Sequence, residues 1–222
     1  MQHSLPKSVV VSVTLMVCAC ASSGIDGDGL YPTTYILPED YDPSRSWPAI
    51  LFLHGAFDGA GAGTIEGGVP AYAEAHPDFP FVVVAPRTEQ DWNVGVLALV
   101  LEDAKQQYSI DENRIYLTGL STGGQAAWEL GVALPDLFAA LAPVAAEGNA
   151  LGISLCNIAH VPVRAFHNEN DPVYPIWQTR DMIDTLNACG GNAQLTVYPS
   201  GEHDAWTETY NGPELYDWFL AN

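Results

Sequence analysis

Cations are scarce in this chain of 222 residues: seven Lys and Arg stand against twenty-seven Asp and Glu, for a formal charge of −20. Phosphate brought near such a surface is repelled, which argues against nucleic acid as a partner and leaves a well-solvated surface as the plain meaning of the charge. Long apolar runs are missing too. The longest, Val9 to Ala21 with Ser12 and Thr14 inside it, falls short of the roughly 20 residues that span a bilayer. Cysteine is used four times, at 18, 20, 156 and 189, with no metal-ligand spacing, so no metal is expected. No repeat or low-complexity tract interrupts the sequence, and the remaining 48% hydrophobic content is enough for one medium domain without metal staples.

What the N-terminus does contain is Lys7 followed by "VVVSVTLMVCACA", the pattern of a signal peptide. Its end, Val17-Cys18-Ala19-Cys20 before "ASSG", is similar to a bacterial lipobox, which implies lipidation of Cys20; cleavage near Ala21 or Ser22 is the ordinary alternative. Residues 1–19 are therefore expected to be a signal peptide, 20–30 a flexible tether and 31–222 the folded unit. Either route exports the protein, as an outer-membrane lipoprotein or a periplasmic or secreted one, with the lipid as its only membrane link. In an oxidising compartment Cys156 and Cys189 are candidates for a disulfide; two buried thiols are the alternative.

From Tyr31 onward, strand and helix signals alternate. "TTYILP", "AILFLHG", "FPFVVVAP", "RIYLTG", "FAALAPVAA", "VPVRAF" and "AQLTVYP" read as strands, several of them nearly unbroken apolar runs of the kind covered on both faces. "VGVLALVLEDAKQQY" carries Val96, Val100, Ala104 and Tyr108 at helical spacing, widened by Leu97 and Leu101. Further helices are expected over "QAAWELGVAL", "IWQTRDMIDTLNACGG" and "PELYDWFL". The alternation predicts an α/β fold with a mostly parallel sheet and helices on both faces, its functional groups at the carboxyl ends of the strands.

At one such end stands Gly119-Leu120-Ser121-Thr122-Gly123. A strand that turns sharply into a helix lifts the serine hydroxyl clear of the sheet, and the glycines give the turn room; a glycine loop with a helix-capping serine is the bland alternative. A serine needs a histidine to take its proton and an acid to hold that histidine, in the order serine, acid, histidine. Asp171, past "VPVRAF", and His203, past "AQLTVYP", fill that order. Glu169 and Asp204 compete as the acid, and His167, which ends a strand but precedes the acid, competes as the base. An oxyanion needs two backbone donors: Thr122 is expected to supply one and Ala56, with Phe57 beside it, the other. Trp92 and Trp206, with Phe57, are placed to touch substrate, whereas Trp177 and Trp128 are expected to pack at or in the core.

"LFLHG", "DENRIYLTGLSTGG", "FHNENDPVYP" and "YPSGEHDAWTETY" together resemble the α/β-hydrolase superfamily. Within it they are most similar to small secreted esterases related to polyhydroxybutyrate depolymerases, feruloyl and acetylxylan esterases and related predicted peptidases. The resemblance implies the α/β-hydrolase fold and a cofactor-independent serine esterase with Ser121 as nucleophile, His203 as base and acid, and Asp171 as orienting carboxylate. Small or polymeric esters would be its substrates. Two positions depart from the pattern, Phe57 and Asn168, where these relatives carry glycine. The stretch between Ser121 and Asp171 is too short for a large lid. A serine peptidase of the prolyl-oligopeptidase type and a non-catalytic, glycan-binding lipoprotein are the competing functions.

Overall fold

The computed structural model describes residues 29–56 and 68–222. The expected signal peptide (residues 1–19), Cys20, nearly all of the expected tether and Phe57 lie outside them.

Seven strands form one sheet. They are β1 (Thr33–Ile36), β2 (Trp47–Leu53), β3 (Val82–Pro86), β4 (Ile110–Leu120), β5 (Ala140–Val144), β6 (Val163–Asn168) and β7 (Ala193–Tyr198). Their order is β1-β3-β2-β4-β5-β6-β7. Every pairing is parallel except β1 with β3, so the sheet is mostly parallel, with one antiparallel edge.

The apolar runs are unbroken because both faces of the central strands are covered. In β2, Ala49, Leu51 and Leu53 join one core while Ile50 and Phe52 join the other; in β3, Val82 and Val84 part from Val83 and Ala85 in the same way. The first core is closed by α2 (Val94–Gln107), α3 (Thr122–Ala133) and α4 (Ile176–Ala188). The second is closed by α1 (Gly68–Ala75), α5 (Trp206–Tyr210) and α6 (Glu214–Leu220). In α2 the buried stripe is Leu97, Val100, Leu101 and Ala104, while Val96 lies at its margin. Asn93 caps this helix by accepting the Val96 N–H, satisfying a donor that has no carbonyl one turn earlier.

Three elements were not expected from the sequence: α1, α5 and a 3-10 segment over Asn149–Ile158, kinked at Gly152. That segment is tied to the end of α4 by a bond between Cys156 and Cys189, whose Cα atoms are 5.5 Å apart. Trp128 is fully buried, but Trp177, expected at the edge of the core, is 55% exposed. It sits one residue into α4, where only Ile176, Thr179, Met182, Ile183 and Leu186 face inward. Among the described residues no helix is long and apolar enough to cross a membrane.

Candidate active site

The β4 strand passes into α3 through Ser121, whose backbone sits at φ 53°, ψ −122°. A non-glycine residue rarely holds that conformation, and here the surroundings impose it: the Ser121 N–H donates to the Val144 carbonyl on β5, and its own carbonyl accepts from Gln125 in the first turn of α3. The turn is also crowded. A Cβ on Gly123 would collide with the carbonyl oxygens of Leu53 and His54, and one on Gly119 would press against Gly123 and lie 2.8 Å from the Leu53 oxygen. Only glycine lets the turn rest on the end of β2.

The loops after β6 and β7 bring the other two groups to this turn. The Nδ1–H of His203 donates to Asp171 Oδ2 over 2.7 Å, and Nε2 lies 3.0 Å from Ser121 Oγ. The carboxylate can only accept, which puts the proton on Nδ1 and leaves Nε2 to accept the serine hydroxyl. A hydroxyl paired in this way to an imidazole that a carboxylate orients is poised to become a nucleophile.

Asp171 is fully buried at its side chain and has several donors. Its Oδ1 accepts the N–H groups of Val173 and Tyr174 at 2.8 and 3.0 Å. The second oxygen also lies 3.2 Å from Nε2 of His167, another fully buried side chain. His167, by contrast, has both ring nitrogens engaged by other partners: its Nε2–H is shared between the Tyr174 carbonyl at 2.8 Å and the Asp171 carboxylate, and its Nδ1 meets the Thr179 hydroxyl at 2.9 Å. Burial holds the His167 imidazole below its ordinary value of 6.5, against the pull of the Tyr174 carbonyl and Asp171. The rival acids are occupied elsewhere. Glu169 pairs with Arg180 at 2.6 Å on the surface, and Asp204 accepts the N–H and hydroxyl of Thr207 in α5.

The loop after β2 is braced by His54. Its Nδ1–H donates to the Gly55 carbonyl at 2.6 Å, and its Nε2 accepts the Thr88 N–H at 3.1 Å, which requires the neutral ring. Burial accordingly depresses its affinity for a proton. Trp92 donates its indole N–H to the His54 carbonyl at 3.1 Å and stands edge-on to Tyr31. Ala56 follows, exposed, and Thr122 opens α3, where the first N–H groups have no intrahelical acceptor. Both line a cavity of about 580 Å³ with Trp92, Gln125, Glu89 and Glu129. Trp206 stands edge-on to His203, with ring centres 5.2 Å apart, and Tyr174 approaches the same imidazole at 5.6 Å.

The structure therefore brings Ser121, Asp171, His203 and Trp206 together at the carboxyl ends of the strands, with Ala56, Thr122 and Trp92 sharing the cavity wall. Sequence reasoning passed over Thr179 and Tyr174. It also left Asn168 unexplained: the side chain is buried, and its amide N–H₂ donates to the Glu202 carbonyl at 3.0 Å. Among the described residues, no three His, Cys, Asp or Glu side chains gather as a metal site.

Comparison with known proteins agrees with this architecture. The phospholipase/carboxylesterase family profile matches residues 97–211, just over half of the chain. A poly(3-hydroxyoctanoate) depolymerase from Pseudomonas fluorescens is 24% identical over 92% of this chain and 85% of its own. The crystal structure of a thermostable esterase superposes with a TM-score of 0.69 at 29% identity, covering 88% of this chain, which spans only 60% of that one. The feruloyl esterase module of Clostridium thermocellum, solved with sinapinate, shares the fold at a TM-score of 0.64 and 19% identity, over 84% of this chain and 81% of its own. A seven-stranded, mostly parallel sheet that carries these groups at its strand ends has the α/β-hydrolase fold, and the chain belongs to the phospholipase/carboxylesterase family as a hydrolase of the carboxylesterase type.

Proposed function

We propose that the protein hydrolyses carboxylic esters through an acyl-enzyme formed on Ser121. The observation that carries this is the bridging imidazole of His203, hydrogen-bonded to Asp171 through one nitrogen and to Ser121 through the other. Ser121 Oγ attacks the ester carbonyl while His203 Nε2 takes its proton, and Asp171 stabilises the imidazolium. The oxyanion accepts N–H groups from Thr122 and Ala56. Collapse expels the alcohol, which receives the proton from Nε2. Water then attacks the acyl-enzyme with His203 again as base, releasing the acid and restoring the serine.

Short-chain, feruloyl or acetyl, and polyester-type esters are the proposed substrates. Support comes from the cavity beside Thr122, from Trp92 in its wall and Trp206 against His203, and from a relative named for depolymerising poly(3-hydroxyoctanoate). We also assign residues 31–222 as the catalytic unit and residues 1–19 as an export signal, with lipidation at Cys20. The bond between Cys156 and Cys189 fits an oxidising compartment.

The test is turnover of p-nitrophenyl acetate and butyrate beside the matched anilides. The proposal expects ester cleavage that Ser121→Ala abolishes. Cleavage of the anilides alone, or full activity in Ser121→Ala, would overturn it.

A further inference from the structure

Asn168 ends β6, paired with Tyr198 at the end of β7, and is 1% exposed. A polar amide in such a place is costly unless it is hydrogen-bonded. Its Nδ2 donates to the Glu202 carbonyl over 3.0 Å, while its Oδ1 meets no hydrogen-bond partner. The amide is therefore retained for its donor. Its fit is close: a Cβ on Gly201, whose φ is +126°, would lie 2.6 Å from Asn168 Nδ2.

The Glu202 carbonyl belongs to the peptide that leads directly into His203. From the other side, Asn170 Oδ1 accepts the Glu202 N–H at 3.3 Å. One asparagine at the end of β6 and one on the loop after it thus hold both backbone polar groups of a residue on the loop after β7. Glu202 needs holding, since its φ of 54° is a left-handed conformation that costs a non-glycine residue about 1–2 kcal/mol. Glycine at 168 would have no group to reach across.

We infer that Asn168 is a positioning residue for His203: its amide fixes the Glu202–His203 peptide and so sets the imidazole at its distance from Ser121. Asn170 reinforces it from the surface. The inference rests on His203 being the general base.

Asn168→Leu keeps the volume and removes the donor. In the full chain, kcat for p-nitrophenyl butyrate per folded molecule should fall about tenfold, with KM held within about twofold, because the base is displaced while the substrate cavity is not. Fluorophosphonate labelling should slow by the same factor. The low-field proton resonance of the His203 Nδ1–H, absent in His203→Gln, should broaden or vanish in Asn168→Leu. Asn170→Ala, at an exposed position, should lower kcat about twofold to threefold by the same route. A purely structural role would lower the melting temperature and leave kcat per folded molecule and the resonance unchanged; that result would overturn the inference. If Asn168→Leu does not fold, an unchanged kcat and resonance in Asn170→Ala would overturn it as well. Turnover surviving in Ser121→Ala would instead defeat the acyl-enzyme proposal, while the imidazole proton still reports whether Asn168 holds His203.

Discussion

His167 Nε2 lies 3.2 Å from Asp171 Oδ2, and neither side chain has any exposed surface. The carboxylate that orients His203 is therefore shared by two imidazoles. One donates to it from the reacting side, the other from the core, where Thr179 and the Tyr174 carbonyl hold the ring in place. Removing the inner ring deprives a buried carboxylate of a donor. His167→Leu should destabilise the fold by about 2–3 kcal/mol in urea titration and lower kcat about tenfold. Loss of stability with no change in kcat would restrict His167 to packing.

Both buried histidines give stability a pH dependence. His54 and His167 are held below 6.5, first by burial, so each is neutral in the folded state at pH values where the unfolded chain is protonated. Their contribution is fully present above the unfolded value and is lost as pH falls below it toward the depressed folded values. Each adds a slope of up to about 1.4 kcal/mol per pH unit in that window. Denaturation at pH 7.5, 6 and 5 should show a steady loss, and His54→Gln should flatten it.

The bond between Cys156 and Cys189 closes a loop with a sequence separation of 33. Chain entropy puts its worth near 3–4 kcal/mol. Reduction, or the double change Cys156→Ser and Cys189→Ser, should lower stability by about that amount with KM unchanged. The bond lies on the 3-10 segment and the end of α4, while Ser121, Asp171 and His203 follow the ends of β4, β6 and β7.

Trp92 was singled out as a substrate contact, and its indole N–H also holds the His54 carbonyl. Trp92→Phe preserves an aromatic face toward Tyr31 and His54 and removes the donor together with part of the ring volume. About 1 kcal/mol of stability should go with it, together with a several-fold fall in kcat as the Ala56 loop loosens. If only KM rises, Trp92 serves substrate binding alone.

Much of this was legible in the sequence, for definite reasons. Unbroken apolar runs such as "AILFL" and "FVVVAP" identify strands buried on both faces, and the glycines around Ser121 mark a turn that no other residue could make. The order of Asp171 and His203 followed from where the later strands end. What escaped has equally physical causes. The antiparallel pairing of β1 is a property of its partner rather than of "TTYI". α1 spans eight residues and α5 five, too few for an apolar repeat to stand out, and the segment over Asn149–Ile158 is 3-10 and kinked. Asn168 looked like a flaw where glycine was expected; its meaning depends on Glu202, a residue 34 positions away. Likewise, Thr179 signals nothing until α4 is packed on β6.

The most direct test of the acyl-enzyme account is intact-mass analysis of the folded protein after treatment with a fluorophosphonate, followed by peptide mapping. A single stoichiometric adduct on Ser121, abolished by Ser121→Ala and slowed at least a hundredfold in His203→Gln, is the predicted result. Folded protein that hydrolyses esters yet takes no label at Ser121 would contradict it.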